Sequence, residues 1–238
     1  LDKAAPEVVV LPRSTVEVAA VCRAAFAHGI PFVPRGAGTG LSGGCLPLDA
    51  PVMICTSRMN RILHLDPVNR RAVVEAGVVN LSVSKAAAPF GLCYAPDPSS
   101  QMACTIGGNV AENSGGPHTL KYGVTANHVL GLEMVLADGT VVELGGAVED
   151  VPGYDLTGLA VGAEGTFGIV TQATLRLVPV APACETLLAV FVTVEAASAT
   201  VSAIIRAGIV PAALEMMDQL IVSAVEAAYG FGFPTDAG

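Results

Sequence analysis

Five of the eleven residues from 34 to 44, Pro34-Arg35-Gly36-Ala37-Gly38-Thr39-Gly40-Leu41-Ser42-Gly43-Gly44, are glycine, and that run limits what the surrounding chain can become. Without Cβ atoms the backbone can curl and approach a partner closely, so several N–H groups can converge into an anion nest suited to a diphosphate. Thr39 and Ser42 can add hydroxyl donors and Arg35 a charge. The run follows residues 30–33, which read as a strand. Gly38 to Gly43 also spells GxGxxG, but the dinucleotide fold that uses this fingerprint needs a helix immediately afterwards to aim its N-terminus at phosphate. Pro47 and Pro51 interrupt the next stretch, so no such helix is expected. Two readings remain for the run by itself: a phosphate cradle without a helix dipole, or a surface loop with no ligand.

Two further segments carry polar chemistry. Ala95-Pro96-Asp97-Pro98-Ser99-Ser100, continuing through Thr105-Ile106-Gly107-Gly108-Asn109-Val110-Ala111-Glu112-Asn113-Ser114-Gly115-Gly116, packs hydroxyls, amides and paired glycines into a short span. That composition suits close wrapping of an extended polar ligand; a solvated loop is the plainer alternative. In Gly162-Ala163-Glu164-Gly165-Thr166-Phe167-Gly168-Ile169-Val170, glycines at intervals of three lead into a strand, which by itself fits a tight turn equally well.

Around these segments the chain opens as strand (8–11), helix and strand (30–33). Ser14 is the expected N-cap of the helix, Glu17 completes a capping box, and His28-Gly29 stops it. Val18, Cys22, Ala25 and Phe26 recur at helical spacing and define the buried face. Short strands are expected at 52–55, 62–65 and 72–74, then a short helix over 80–89. Residues 130–136 and 141–144 form a hairpin turned by Asp138-Gly139. Residues 169–178 alternate, with Ile169, Thr171, Ala173, Leu175 and Leu177 on one face and Thr174 and Arg176 on the other, as in a half-buried strand. Pro179 and Pro182 mark a boundary between residues 1–180 and 181–238. Beyond it the pattern reads strand (187–194), helix (196–207), strand (212–216), helix (219–228). Two strands cover two helices poorly, so the natural polypeptide is expected to continue past Gly238, and the opening Leu1 suggests a trimmed N-terminus.

At 238 residues and 52% hydrophobic, the chain can bury a sizeable core. Every apolar stretch is broken before the roughly 18 residues a spanning helix needs, so the chain is read as not membrane-spanning. Cys22, Cys45, Cys55, Cys93, Cys104 and Cys184 show no CxxC pair and no zinc-ligand spacing, which favours buried thiols in a reducing cytoplasm over disulfides. The net charge is -9, and residues 122–238 hold two basic and thirteen acidic groups. Nucleic acid is therefore a poor partner, and an anionic ligand must be held by local dipoles.

Taken together and in this order, the segments "PRGAGTGLSGG", "PDPSSQMACTIGGNVAENSGG", "KYG" at 121–123 and "GAEGTFGIVT" resemble the FAD-binding domain of the vanillyl-alcohol oxidase and p-cresol methylhydroxylase (PCMH) superfamily, over roughly residues 6–179. Within it they are similar to the FAD-linked glycolate oxidase subunit and its D-lactate and D-2-hydroxyglutarate dehydrogenase relatives. The stretch at 214–218 resembles the opening of that family's cap domain. The resemblance implies an α+β fold: a PCMH-type FAD-binding domain of two subdomains with the cofactor between them, then the start of a ferredoxin-like cap. It implies that Pro34, Arg35, Gly36, Ala37, Gly38, Thr39, Gly40, Ser42 and Gly43 hold the FAD pyrophosphate. Pro96, Asp97, Ser99, Ser100, Thr105, Gly107, Gly108 and Asn109 would run along the ribityl chain and isoalloxazine. Ala111, Glu112, Asn113, Gly115 and Gly116 would continue that path, and Glu164, Gly165, Gly168, Ile169 and Val170 would add flavin contacts. No His stands in the first loop, where some relatives tether flavin, so FAD is expected to be noncovalent, with Cys104 a remote alternative tether.

The expected function is oxidation of a small 2-hydroxy acid, such as glycolate or D-lactate, to the 2-oxo acid by hydride transfer to flavin N5. Electrons would pass to an acceptor or a partner redox subunit. A flavin enzyme of another alcohol, sugar or lipid ether, and a noncatalytic electron-relay subunit, are the rivals. The expected location is the cytoplasm, with association to the inner membrane face through partners left open. His118 reads as positioning or surface rather than as a base, because a single His in a sequence says little about proton transfer. His28, His64 and His128 read as structural. The catalytic His and metal cluster of the family belong to the later cap, so no metal and no catalytic base are assigned.

Overall fold

The computed structural model describes residues 3–148 and 152–236. The chain divides into two compact units, one made of Leu1–Gly116 and Gly123–Val180, the other of Pro117–Tyr122 and Ala181–Gly238.

The first unit opens with strand β1 (Val8–Val10), helix α1 (Thr15–Ala27) and strand β2 (Phe32–Arg35). Ser14 caps α1, its Oγ accepting the Glu17 N–H at 3.3 Å. The Glu17 carboxylate accepts instead from the Arg13 N–H at 2.7 Å, one residue before the position a capping box uses. Strand β2 begins later than the apolar run at 30–33 suggests, because the Ile30 N–H bonds back to the Ala25 carbonyl at 2.9 Å and so completes the helix exit. Strand β3 (Val52–Cys55) lies parallel between β1 and β2. Helix α1 buries Val18, Ala19 and Cys22 with Ile54 and Met59 of the sheet side. Phe26 does not join that face: in the last turn it runs past the covered surface and is 64% exposed.

The larger sheet is antiparallel throughout. Its elements in chain order are β4 (Ile62–Asp66), β5 (Arg71–Glu75), α2 (Asn80–Ala87), β6 (Leu92–Cys93), α3 (Ile106–Glu112), α4 (Thr119–Tyr122, part of the second unit), β7 (Val129–Val135), β8 (Val141–Gly145), α5 (Leu156–Ala160), β9 (Ile169–Arg176) and β10 (Val178–Pro179). The strand order is β4-β5-β9-β7-β8, and β6 pairs with β10 separately. Strand β9 buries Ile169, Thr171, Ala173 and Leu175 while Val170, Gln172, Thr174 and Arg176 stay half-buried, the alternation its sequence predicts. Helices α2 and α3 lay Val83, Ala87, Ile106 and Val110 on Val74, Leu132, Ala173 and Leu175. Complete burial of a side chain such as Leu175 contributes about 2 kcal/mol. The two cores meet at one edge, because Val135 and Ile169, at the ends of β7 and β9, pack with α1. This brings the end of β2 close to the start of β9.

In the second unit, helix α6 (Val194–Arg206) is capped by Thr193, and α7 (Gln219–Tyr229) by Asp218, whose Oδ1 accepts the Ile221 N–H at 2.9 Å. The strands expected at 187–194 and 212–216 do not form. A strand is completed by a neighbour's N–H and C=O groups, and these stretches have no ladder partner among the described residues.

Candidate functional site

The glycine run leaves β2 and reaches β3 as a loop without a helix, so the GxGxxG spelling lacks the context that would make it a Rossmann fingerprint. Its entry is fixed on one side by Thr56, whose Oγ1 donates to the Arg35 carbonyl at 3.5 Å. The second segment contains α3, an element that paired glycines conceal because Gly is a poor helix former. Thr105 caps this short helix through the Gly108 N–H at 3.4 Å. Asn113 closes it in the left-handed region, φ 48°. The helix start is anchored to the chain after β5: the Gly107 N–H donates to Ala76 O at 2.7 Å and the Ile106 N–H to Val78 O at 2.9 Å.

Three contacts bring the segments together. Gly36 meets Thr105 so closely that a Cβ at position 36 would overlap the Thr105 hydroxyl. The Gly162 and Glu164 N–H groups donate to Val110 O and Ala111 O at 2.8 and 2.9 Å, joining the third segment to the exit of α3. Gly165, at φ +78°, backs onto Pro34, where a Cβ would stand 2.9 Å from Cγ. Across the rim, Ser42 Oγ donates to the Glu112 carboxylate at 3.2 Å.

The segments enclose a cavity of about 360 Å³. From the first, Pro34, Arg35, Gly36, Ala37, Gly38, Thr39 and Gly40 line it. From the second come Ser100, Thr105, Gly107, Gly108, Asn109, Ala111 and Glu112, and from the third Glu164, Gly165, Gly168, Ile169 and Val170. Ser42, Gly43, Pro96, Asp97, Ser99, Asn113, Gly115 and Gly116 lie outside that wall. Several of these have other work: the Pro96 carbonyl accepts from Asn80, Asn113 Oδ1 accepts the Ala126 N–H at 2.9 Å, and Gly116 packs on the Asp97 carbonyl.

The wall also includes Leu41, Gly44, Cys45, Cys104, Ser114 and Ala163, which sit within or beside the sequence segments. Thr56, Met134 and Ala160 join it from elsewhere in the chain. Met134 arrives through pairing with Val170 across β7 and β9, a non-local register that no local pattern announces. Of the histidines, His128 is buried edge-on to Tyr94, with ring centroids 6.1 Å apart, and His28 caps α1. His118 belongs to the second unit. All six cysteines are free thiols. Among the described residues no cluster of His, Cys, Asp or Glu could hold a metal ion, and no helix is long and apolar enough to cross a membrane.

The donor set is rich in glycine amides and in hydroxyls (Thr39, Thr56, Ser100, Thr105), with Arg35 as the cation, and the same wall carries apolar Met134, Ile169 and Val170. An anionic diphosphate and a flat apolar ring system are the two ligand parts such a wall fits. The sequence profile described as "FAD binding domain" matches residues 6–145. The chain belongs to this FAD-binding family. Its cofactor is FAD, and the wall just described suits that group. A second profile, "FAD linked oxidases, C-terminal domain", matches residues 181–238 of this family member.

Among curated relatives, the glycolate oxidase subunit GlcD of Escherichia coli (strain K12) is 49% identical over 232 residues, 98% of this chain and 46% of its own length. GlcD of Bacillus subtilis (strain 168) is 47% identical over 233 residues, 98% of this chain and 50% of the relative. A D-lactate dehydrogenase of Archaeoglobus fulgidus is 40% identical over 224 residues, 94% of this chain and 50% of the relative. The chain thus spans about half the length of the curated relatives it matches. A solved structure of alkyldihydroxyacetonephosphate synthase superposes on 99% of this chain and 48% of that one, with TM-score 0.83 and 25% identity.

Proposed function

We propose that this chain supplies the FAD-binding part of an oxidoreductase that converts a small 2-hydroxy acid, glycolate or D-lactate, into the 2-oxo acid. The observation that carries the reading is the convergence of three separated segments on one glycine-rich cavity. The 49% identity to a glycolate oxidase subunit across nearly the whole chain supports it. Residues 1–180 form the FAD-binding domain, and residues 181–238 form the first part of the substrate domain.

The residues at 34–40 hold the diphosphate: glycine amides and the Thr39 hydroxyl donate to it, and Arg35 offsets its charge. The wall at 100–112 and 164–170 follows the ribityl chain and ring, with Ile169 and Val170 excluding water from the apolar side. Bound there, FAD supplies the redox chemistry, oxidation of the substrate C2 carbon with N5 as hydride acceptor. The flavin is held without a covalent bond, since the first loop offers no His. Acid precipitation releases a yellow supernatant on this reading; colour kept in the pellet would contradict it. The chain works in the cytoplasm and hands electrons to an acceptor or a partner redox subunit.

Steady-state assay of the complete gene product with glycolate, D-lactate and D-2-hydroxyglutarate tests the reading. Turnover of at least one is expected, and no turnover of any would overturn it. The likeness to alkyldihydroxyacetonephosphate synthase supports the rival, a flavin enzyme of another substrate class on the same domain. Flavin-bound protein that turns over none of the three acids is the result that favours this rival.

A further inference from the structure

Asn80 opens helix α2 and is 1% exposed, yet it does not border the cavity. A buried carboxamide is costly unless its hydrogen bonds are made. The Asn80 side-chain Nδ2 and main-chain N–H both bond to the second segment. Its main-chain N–H donates to Cys104 O at 3.0 Å. Its Nδ2 donates to Pro96 O at 3.0 Å and to Asn109 Oδ1 at 3.1 Å.

The Pro96 carbonyl can only accept, so the Asn80 amide has one orientation, and Asn109 must present its oxygen to it. Asn109 Nδ2 is then left facing Cys104 Sγ, at 3.3 Å. Asn109 itself lines the cavity, and its main-chain carbonyl accepts the N–H of Ser114, another wall residue, at 3.0 Å. One buried side chain therefore joins the start of the second segment at Pro96 to its middle at Asn109 and, through Asn109, to the turn at Ser114.

We propose that Asn80 is a positioning residue for the flavin site: it fixes where Asn109 and Ser114 stand in the wall without touching the cavity itself. The inference rests on the reading that FAD occupies this cavity. A side chain that only stabilised the fold would act on stability alone. A side chain that sets the wall acts on the bound flavin as well.

The test uses flavin-free protein titrated with FAD, followed by fluorescence, then visible circular dichroism and midpoint potential of the reconstituted form. Val83→Ala is the control, because Val83 lies on the same helix, is fully buried in the core, and makes no wall. Asn80→Ala is expected to weaken FAD about tenfold, the scale of one or two lost buried hydrogen bonds, and to change the dichroism and potential of the bound flavin. Val83→Ala is expected to lower melting temperature while leaving all three flavin readouts as in wild type. Asn80→Ser, which keeps one donor, is expected to fall between wild type and Asn80→Ala, and decides the matter if the alanine variant does not fold.

Wild-type affinity, dichroism and potential in both Asn80 variants, or in Asn80→Ser alone if the alanine variant does not fold, would overturn the inference and leave the functional reading intact. Equal flavin changes in Val83→Ala would overturn it too, by showing that loosening the fold suffices. Wild-type protein that binds no FAD would overturn the functional reading itself, a result visible before any variant is made.

Discussion

The Glu164 N–H donates to the Ala111 carbonyl at 2.9 Å, and Glu164 adopts φ +51° to do so. This bond fastens the third segment to the exit of α3 and so closes one side of the cavity. The left-handed region is unfavourable for a residue with a Cβ and worse for one branched there. Glu164→Val is therefore expected to lower stability by about 1–2 kcal/mol, while Glu164→Gly does not. Urea denaturation of the two variants checks this; equal losses would show that the strain lies elsewhere.

Gly36 tests the contact between the first two segments. An added methyl must displace the Thr105 hydroxyl, which caps α3 through Gly108. Gly36→Ala should cost about 1 kcal/mol through the lost cap and weaken FAD at the same time, because both segments line the wall. Denaturation and FAD titration on one preparation measure the two effects. Unchanged affinity with reduced stability would separate the cap from the cofactor.

Cys22 gives a pH prediction. Burial pushes its thiol up to about 11, with nearby Arg23 acting weakly in the opposite direction. The folded-state pKa is raised, so the contribution is intact below the unfolded thiol's 9.0 and is lost as pH climbs to about 11. Across that window the unfolded chain has released a proton that the folded chain still holds, and stability falls with rising pH. Cys22→Ala should flatten this slope relative to wild type in paired denaturation series at pH 8 to 11. The same burial predicts that exposed Cys184 reacts with a thiol reagent well before Cys22 does.

Much of this was legible locally. Ser14, the Asp138-Gly139 turn and the alternation from Ile169 announce α1, the β7–β8 hairpin and β9, because capping, turn geometry and period-two burial are short-range effects. The three glycine-rich segments are legible for the same reason. Helix α3 was not, since Gly107 and Gly108 oppose it and only capping and tertiary anchoring sustain it. Thr56, Met134 and Ala160 were equally hidden: they reach the cavity through strand pairing and packing set across the whole sheet. Asn80 shows in the sequence only as the first residue of the helix expected over 80–89, because its partners Pro96 and Asn109 become neighbours on folding alone. The strands expected at 187–194 and 212–216 show the opposite error, apolar runs read as strands that lack a pairing neighbour among the described residues.

The claim at the centre is that separated glycine-rich stretches grip FAD without a Rossmann helix. A crystal structure of the FAD complex tests it most directly. Diphosphate density is expected against the main-chain amides of 36–40, and the ring system against Ile169 and Val170. Flavin density seated anywhere outside this cavity would contradict it.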